Sequence, residues 1–367
     1  MKSSIILALC LAVGLAGCVT RPGPEALQEV RASAPDARFV TVYVATTRER
    51  ETPGANVFTS NRAPELNYAE FTISIPPGHE PGKVEWPKER PNPAKSFAIV
   101  RQDILDRKTF EGRVKARGNG SRTGVFVHGF NQNFQEALFR LAQITADANV
   151  EGTPVLFAWP SEAHITGYVA DKDAVTASRD SLAGLLADLT KGRPAGDVTL
   201  VAHSMGSWLT VETLRQLRLT GRDDVLNRLD VILAAPDIDV DVFRTQMEVI
   251  GSLRRPMTIL VSSDDRALSV SSRIAGKRPR LGALDINDPR IEAAAREANV
   301  QIIDISALDA SNALNHDRYV NVAKLYPQIA QAEGPEGVRR AGAFVFNAIG
   351  FTLSAPFNLA GRAISGE

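Results

Sequence analysis

The surroundings of Ser204 are those of an enzyme nucleophile. The apolar run 198–201 precedes it and a helical pattern begins at Trp208, so the serine falls on a sharp turn between a strand and a helix. Ala202 and Gly206 flank it two residues away on either side. Such a turn has room only for small side chains at those two positions and holds the serine at strained backbone angles. The more common pattern has glycine where this chain has Ala202, and alanine is small enough for the same packing. The spacing therefore predicts a reactive hydroxyl at the edge of a sheet.

A serine hydroxyl is a weak nucleophile at neutral pH, so it needs a base within hydrogen-bond reach and a carboxylate that orients the base. After a turn of this kind, the acid and then the histidine follow the serine along the chain. Of five histidines, only His316 follows Ser204, and it lies in a polar loop at 314–318. We therefore expect His316 to be the base. The sequence assigns no role to His79 or His164.

Two acidic clusters lie between the serine and this histidine. Asp264 and Asp265 follow the apolar run 258–261. Only one further predicted strand, 300–305, lies between this run and His316. This is the usual position of the acid, and within the cluster we prefer Asp265, with Asp264 as the alternative that faces solvent or caps a turn. The less favoured cluster contains Asp237, Asp239 and Asp241.

Acyl transfer also requires two backbone N–H donors for the developing oxyanion. Met205 follows the nucleophile and offers one donor, and Phe130 offers the other. Gly129 allows the backbone to turn close to a substrate. His128 is expected to support this loop through hydrogen bonds to its backbone, and His203 is expected to point away from the nucleophile and pack.

Three further residues are candidates for the pocket wall beside His128 and Gly129: Asn131, Trp159 and Tyr168. Each of the three fits loop or core scaffolding equally well. The five histidines show no metal-ligand spacing, and both cysteines precede residue 19, so we expect no metal and no cofactor.

Short apolar runs without strict alternation, separated by helical patterns, predict an α/β fold with a mostly parallel central sheet and helices on both faces. The segment between the strands at 229–235 and 257–261 is short, so we expect a small cap or none. The predicted strands are 39–45, 68–75, 97–100, 125–127, 154–158, 198–201, 229–235, 257–261 and 300–305. The predicted helices are 134–149, 171–191 and 320–330, with further helical segments after 204 and after 235. The stretch 76–95, rich in proline and charge, is expected to be a surface excursion.

The N-terminus has the pattern of a targeting segment. Lys2 is followed by the apolar run 5–15 and then by Leu15-Ala16-Gly17-Cys18, which resembles the lipobox of bacterial lipoproteins. That resemblance implies cleavage before Cys18 and lipidation of its thiol; the alternative is an ordinary secretory signal with a chance cysteine. The resemblance places the protein in the cell envelope, tethered to the outer membrane and facing the periplasm.

The chain is accordingly divided into residues 1–18 as a lipoprotein signal peptide, 19–38 as a tether, 39–335 as the α/β domain and 336–367 as an apolar tail. Residues 341–361 carry no charge and are expected either to dock on the body or to lie in a membrane interface. Lys and Arg together number 42, as do Asp and Glu, and no basic patch with interleaved aromatic residues occurs, so we expect no nucleic-acid partner.

Taken together, several segments resemble bacterial α/β-hydrolases of unknown function. The segments are Ala45–Arg48, Val125–Asn131, Trp159–Ser161, His203–Gly206, Ser262–Leu268 and Asn315–His316. The resemblance extends from about Phe39 to Ala330. It implies an α/β-hydrolase fold and esterase-like activity on a small acyl ester, with Ser204 as nucleophile, Asp265 as acid and His316 as base.

The sequence thus favours a membrane-tethered serine hydrolase, a carboxylesterase in the first instance, with thioester or amide substrates within the same mechanism. The alternative is a noncatalytic envelope lipoprotein that uses the fold as a binding scaffold. The sequence does not specify the natural substrate or the oligomeric state.

Overall fold

A computed structural model describes residues 21–322, apart from 32–33, 88–89, 118–121, 150–151 and 195. Cys18, the signal peptide, most of the helix expected at 320–330 and the tail 336–367 lie outside the described residues. Their roles stay predictions, as do the domain boundaries. Within the described part of the chain, no helix is long and apolar enough to cross a membrane.

The fold is built on one sheet of nine strands in the order β3-β2-β1-β5-β4-β6-β7-β8-β9. Strand β2 is antiparallel to both of its neighbours, and every pairing from β1 to β9 across the rest of the sheet is parallel. The sheet is therefore mostly parallel, as predicted. The strands are β1 (Arg38–Arg50), β2 (Phe58–Ile75), β3 (Ala98–Leu105), β4 (Arg122–Val127), β5 (Gly152–Ala158), β6 (Val198–His203), β7 (Leu229–Ala234), β8 (Met257–Val261) and β9 (Val300–Asp304).

Helices cover both faces of the sheet, because the strands are apolar on both sides. In β4, Val125 and Val127 belong to one buried cluster and Phe126 to the other. The first cluster includes side chains from α1, α3, α4 and α6, and the second includes side chains from α2. The helices are α1 (Arg107–Arg117), α2 (Phe134–Ala148), α3 (Tyr168–Thr190), α4 (Met205–Leu219), α5 (Asp223–Leu226), α6 (Val240–Ile250), α7 (Arg266–Ile274) and α8 (Pro289–Glu297).

The parallel arrangement brings the ends of several strands to one edge of the sheet. β4 lies between β5 and β6, and β7 and β8 follow in order, so the loops after these five strands are neighbours. The turn with Ser204 follows β6, and Asp265 lies four residues after β8. Ligand sites in open α/β sheets lie at this edge.

The structure differs from the sequence expectations in the polar elements. β2 begins ten residues earlier than the predicted strand at 68–75, and helix α1 was not predicted at all. α1 buries only Phe110 and Val114, so it has too few apolar side chains to give a helical pattern. Helices α7 and α8 were also not predicted; each has only nine residues, and α7 buries only Leu268 and Ser271.

The excursion at 76–95 is attached to the body by a buried histidine. His79 Nδ1 lies 2.7 Å from Glu85 Oε2, and His79 Nε2 lies 2.8 Å from Asp147 Oδ1 on α2. The backbone N–H of Gly82 also donates to Asp147 Oδ2, at 2.6 Å. Burial by itself would lower the pKa of His79, but hydrogen bonds to Asp147 and Glu85 outweigh it, so the pKa of His79 is raised. The two carboxylates therefore favour the positively charged form of His79.

This pairing predicts a stability that depends on pH. Unfolded histidine has a pKa of about 6.5, and the folded pKa of His79 is higher. The stabilisation is therefore complete below about pH 6.5 and is lost as the pH rises through the folded pKa. In urea unfolding, the deficit of His79→Gln relative to the unmodified chain should be larger near pH 6 than near pH 9.

His164→Gln is the matched control, because His164 is exposed and its ring bonds only to nearby Thr166. It should follow the unmodified chain at both pH values. A deficit of His79→Gln that is equal at the two pH values, or larger near pH 9, would contradict a charged His79.

Candidate active site

Ser204 lies at the apex of a strained turn between β6 and α4. Its backbone has φ 53° and ψ −119°, outside the regions that an L-residue normally occupies. Its N–H donates to Ala234 O at 2.9 Å, and its C=O accepts from Asp237 N at 3.2 Å. The end of β7 thus holds the turn on one side. The sequence prediction of a strand, a strained serine and a helix is what the backbone shows at these residues.

The small residue two positions after the serine is needed for packing. A Cβ on Gly206 would lie 2.6 Å from Val127 O and closer still to His128 O, which is less than side-chain carbons tolerate. Both carbonyls belong to the backbone and cannot rotate away. Gly206 therefore lets helix α4 approach the end of β4.

His316 lies with its ring against the turn and its proton-bearing nitrogen on a carboxylate. His316 Nδ1 lies 2.6 Å from Asp265 Oδ2. The His316 ring centroid is 4.6 Å from that of His203, the residue immediately before Ser204. An Nδ1–H bond to a carboxylate leaves Nε2 as the basic nitrogen, which is the tautomer that a general base requires. Between the described atoms of Ser204 and His316 themselves there is no hydrogen bond, and such bonds commonly shorten only when substrate binds.

Asp265 is held rigidly in this position. Its side chain is fully buried, and Asp265 Oδ1 accepts from the backbone N–H of Leu268 at 2.9 Å, as the N-cap of α7. One carboxylate oxygen therefore caps a helix and the other faces His316. The helix fixes the carboxylate, and the carboxylate fixes the imidazole.

The neighbouring Asp264 points elsewhere. It forms an ion pair with Arg318 through both of its oxygens, and it accepts from Asn315 Nδ2 at 2.9 Å and from Ser262 Oγ at 2.7 Å. The hydrogen bond from Arg318 is the main reason that the pKa of Asp264 is lowered. Asp264 thus supports the loop that carries His316, whereas Asp265 contacts His316 itself.

The less favoured acidic cluster is also engaged in other contacts. Asp237 accepts from Tyr168 Oη at 2.9 Å and from Ser271 Oγ at 2.6 Å, and it lies 3.3 Å from Arg280 Nε. Asp239 caps helix α6 through the N–H groups of its first turn. Among the described contacts, neither carboxylate reaches His316.

The loop after β4 lies directly against Ser204. A Cβ on Gly129 would lie 3.0 Å from Ser204 Cβ and 2.8 Å from His203 Nδ1, so the backbone of this loop passes within van der Waals distance of the serine. Met205 is the first residue of α4, so its N–H has no carbonyl of its own helix to bond. The N–H of Phe130 has no acceptor among the described residues. The turn and the loop thus each contain an N–H group without a described acceptor.

His128 and Trp159 support this loop from beneath and do not face open space. Both side chains are fully buried and stack with ring centroids 4.8 Å apart. Trp159 Nε1 donates to His128 O at 2.8 Å, and His128 Nε2 lies 3.1 Å from Trp159 O. Burial, with a smaller effect of Arg48, lowers the pKa of His128 to about 3, so the ring is neutral. Both candidates for the pocket wall are thus buried, and their ring nitrogens bond to backbone oxygens.

Tyr168 and Asn131 have different surroundings. The Tyr168 ring packs edge-on against Phe130 at 5.3 Å, which places it beside the loop that carries the N–H donor. Burial raises the pKa of Tyr168 to about 12, and Asp237 contributes. Asn131 has φ 59° and its side chain accepts from Arg21 at 2.9 Å, so it shapes the turn of the loop.

His203 is buried and contacts the loop of His316. Its ring stacks on Tyr319 at 4.3 Å, and His203 Nε2 lies 3.1 Å from the backbone oxygen of His316. Burial is the main cause that lowers the pKa of His203 well below its ordinary value. The neutral ring thus donates to the His316 carbonyl from the residue next to Ser204.

Two buried charged residues beside this site were not assigned by sequence reasoning. Arg48 donates to Gln132 O at 3.0 Å and to Thr59 O at 3.2 Å, and burial lowers the pKa of Arg48 to about 10. Asp171 accepts from Ser161 Oγ at 2.6 Å and from the N–H of Glu162 at 2.7 Å. The signal for Arg48 was its place in the Ala45–Arg48 segment, directly after an apolar strand. The sequence gave no indication that Asp171 is buried, because an aspartate at this position is typical of the exposed start of a helix.

The described residues contain no group of histidine, cysteine, aspartate and glutamate side chains that could hold a metal ion. The polar groups around Ser204 instead pair with one another or with backbone atoms. The arrangement is suited to proton transfer and to stabilisation of an oxyanion.

The close approach at Gly206 gives a first test of the turn. Gly206→Ala should lower the free energy of unfolding by about 1–3 kcal/mol or more, because the added methyl group meets two backbone carbonyls. Gly184→Ala in α3 is the control, since a Cβ there meets nothing within 4 Å; it should be neutral or stabilising by up to about 1 kcal/mol. Urea denaturation measures both. Equal stability of the two variants would contradict the packing described here.

Comparison with known proteins agrees with the fold. A search of curated proteins finds no match to this chain. The model of one family, described as alpha/beta hydrolase of unknown function (DUF900), matches residues 106–333, which is more than half of the chain. The match includes the turn at Ser204, the loop after β4, Asp265 and His316, and it begins after the Ala45–Arg48 segment. The chain therefore belongs to this family of alpha/beta hydrolases.

Proposed function

We propose that this protein is a serine hydrolase that cleaves carboxylic esters through an acyl-enzyme on Ser204. The observation that carries the proposal is the 2.6 Å contact between His316 Nδ1 and Asp265 Oδ2, with the His316 ring packed beside the strained serine turn. A buried carboxylate on one imidazole nitrogen is the arrangement that converts the other nitrogen into a base.

In the first half of the reaction, Ser204 Oγ attacks the acyl carbonyl carbon and His316 Nε2 accepts the hydroxyl proton. The carbonyl π electrons move to the oxygen, which then accepts hydrogen bonds from the N–H groups of Met205 and Phe130. Collapse of this intermediate breaks the bond to the leaving alcohol, which receives its proton from His316. Asp265 stabilises the imidazolium that forms in between.

In the second half, water attacks the acyl-enzyme and His316 again accepts and returns the proton. The acid is released and Ser204 regains its hydrogen. Neither half requires a cofactor. Only the 11-residue helix α6 and short loops separate β7 from β8, which supports a small cap and an open site suited to small esters.

The proposal predicts covalent labelling of one serine. A fluorophosphonate probe should label the full chain, and Ser204→Ala should remove the labelling and reduce ester turnover by about 10⁶-fold, the loss typical of a nucleophilic serine. The adduct should be located by peptide mass spectrometry.

Ser263→Ala is the matched control, because Ser263 is exposed and lies near the same edge of the sheet. It should be labelled like the unmodified chain. A folded chain that the probe does not label would favour the alternative, a noncatalytic binding scaffold.

We further propose that the protein is tethered to the outer membrane through a lipid on Cys18, facing the periplasm. The support is the sequence Leu15-Ala16-Gly17-Cys18 after an apolar run. Acyl chains contribute ~0.8 kcal/mol per buried methylene, so two or more of them give stable attachment. Cys18→Ser should release the protein into the soluble fraction of cell lysates. A variant that stays in the membrane fraction would show that another segment, such as 341–361, attaches it.

A further inference from the structure

Exposed apolar side chains are concentrated around the candidate active site. Among the described residues, five of the nine exposed large apolar side chains lie on three segments at this edge. We call these five the apolar rim: Ile165, Val169, Val270, Ile274 and Leu314. Ile165 and Val169 are 75% and 71% exposed, and Val270 and Ile274 are 50% and 61% exposed. Isolated exposed apolar residues are ordinary, but a contiguous set at a site indicates contact with a partner.

Hydrogen bonds between the three segments show that they are neighbours. Tyr168 Oη lies 3.0 Å from Ser271 Oγ, which brings the start of α3 beside the middle of α7. Val169 follows that tyrosine, and Val270 precedes that serine. The backbone oxygen of Leu314 accepts from the N–H of Arg266 at 2.9 Å, which attaches the third segment to the start of α7.

Helix α7 presents its apolar stripe outward beside the catalytic groups. Val270 and Ile274 are one turn apart and therefore lie on the same face. That face adjoins the one through which Ser271 contacts Tyr168. The helix begins immediately after its N-cap Asp265, which contacts His316. The exposed residues Val270 and Ile274 therefore lie on the helix that begins at the acid of the proposed triad, and Tyr168 links this helix to Phe130.

The charged residues in α7 and in the loop that follows it are all basic. From 266 to 284 the chain contains five basic residues and no acidic residue. Arg280 is buried against Asp237, and Arg278 lies 3.6 Å from Asp241, so those two are compensated. Arg266 donates to the backbone oxygen of Ala313 at 3.2 Å. Arg266, Arg273 and Lys277 are all exposed, and none of the three forms an ion pair with a described carboxylate. Of these three uncompensated cations, Arg273 and Lys277 lie beside Ile274 at the end of the apolar stripe.

Apolar residues flanked by basic ones on one face are the pattern of a helix that lies in the interface of an anionic membrane. We propose that the apolar rim, with Arg273 and Lys277, is a docking surface for an anionic lipid bilayer. The bilayer would contact the protein at the mouth of the site, so the site would face acyl groups held in the membrane. The docking itself does not depend on the proposed hydrolase activity.

A fluorescent label on the rim tests the docking directly. The chain has cysteines only at positions 10 and 18. The test uses the full chain with the substitutions Cys10→Ser, Cys18→Ser and Ile274→Cys, so that the residue at 274 has the only thiol. An NBD fluorophore is attached to this thiol. Adding vesicles of phosphatidylcholine with phosphatidylglycerol should shift the emission to the blue and increase it. Vesicles of phosphatidylcholine alone, or about 1 M NaCl, where the Debye length is about 3 Å, should weaken the change.

Leu219→Cys in the same background is the matched control. Leu219 is 57% exposed, close to the value for Ile274, and it lies at the far end of α4 from Ser204. Its label should stay in water even if another segment of the chain holds the protein on the vesicle. A similar blue shift at both positions, or none at Ile274→Cys, would overturn the proposal. A shift that grows with protein concentration without vesicles would also overturn it, in favour of a second copy of this chain.

Charge removal separates this proposal from the proposed function. Each basic residue near an anionic surface contributes about fivefold to affinity. Arg273→Gln with Lys277→Gln should therefore weaken docking of the labelled face about 25-fold, and fluorophosphonate labelling of Ser204 should not change. Unchanged docking in this double variant would contradict the electrostatic part of the proposal. A protein that docks but is not labelled by the probe would keep the docking surface and reject the hydrolase.

Discussion

The backbone contact between the serine turn and the loop after β4 is the constraint on which the site depends. Gly206 lets α4 approach the carbonyls of Val127 and His128, and Gly129 lets the loop pass beside Ser204. The strained φ of 53° at the serine persists because both sides of the turn are fixed, one by this packing and the other by hydrogen bonds to the end of β7. The same contact places the loop that contains Phe130 against the turn that is followed by Met205. The positions of Ser204 and of these two segments therefore depend on backbone packing, with few side chains involved.

The acidic residues around the site have separate tasks, which follow from their partners. Asp265 contacts His316, Asp264 pairs with Arg318, and Asp237 contacts Tyr168, Ser271 and Arg280. Asp264 and Asp237 thus have partners of their own and leave His316 to Asp265. His203 adds a neutral contact to the His316 carbonyl. His316 is consequently held at its ring nitrogen, at its backbone and at its ring face.

Much of this could be predicted from the sequence, and the reasons for the exceptions are physical. The apolar strands and the serine turn are local patterns, because burial on both faces and a tight turn each restrict residue types within a few positions. The preference for Asp265 over Asp264 came from family resemblance and strand position; local sequence does not separate two adjacent aspartates, and only the N-cap geometry of α7 shows which one turns inward. The burial of Arg48 and Asp171 depends on contacts with residues distant in the sequence or in a loop, so the residues next to them do not predict it. Helices α1, α7 and α8 bury few side chains, and the apolar residues Val270 and Ile274 of α7 face solvent, so these short helices have no clear buried face in the sequence.

Two isosteric variants test whether Asp265 orients His316 for proton transfer from Ser204. Ester turnover should be measured for Asp265→Asn and Asp264→Asn, with circular dichroism to verify that both are folded. Asp265→Asn should lower kcat by about 10⁴-fold, because the amide favours the wrong tautomer of the histidine. Asp264→Asn should change kcat by less than about tenfold, since it affects only the support of the loop. A large loss in Asp264→Asn with near-normal turnover in Asp265→Asn would show that Asp265 does not orient His316.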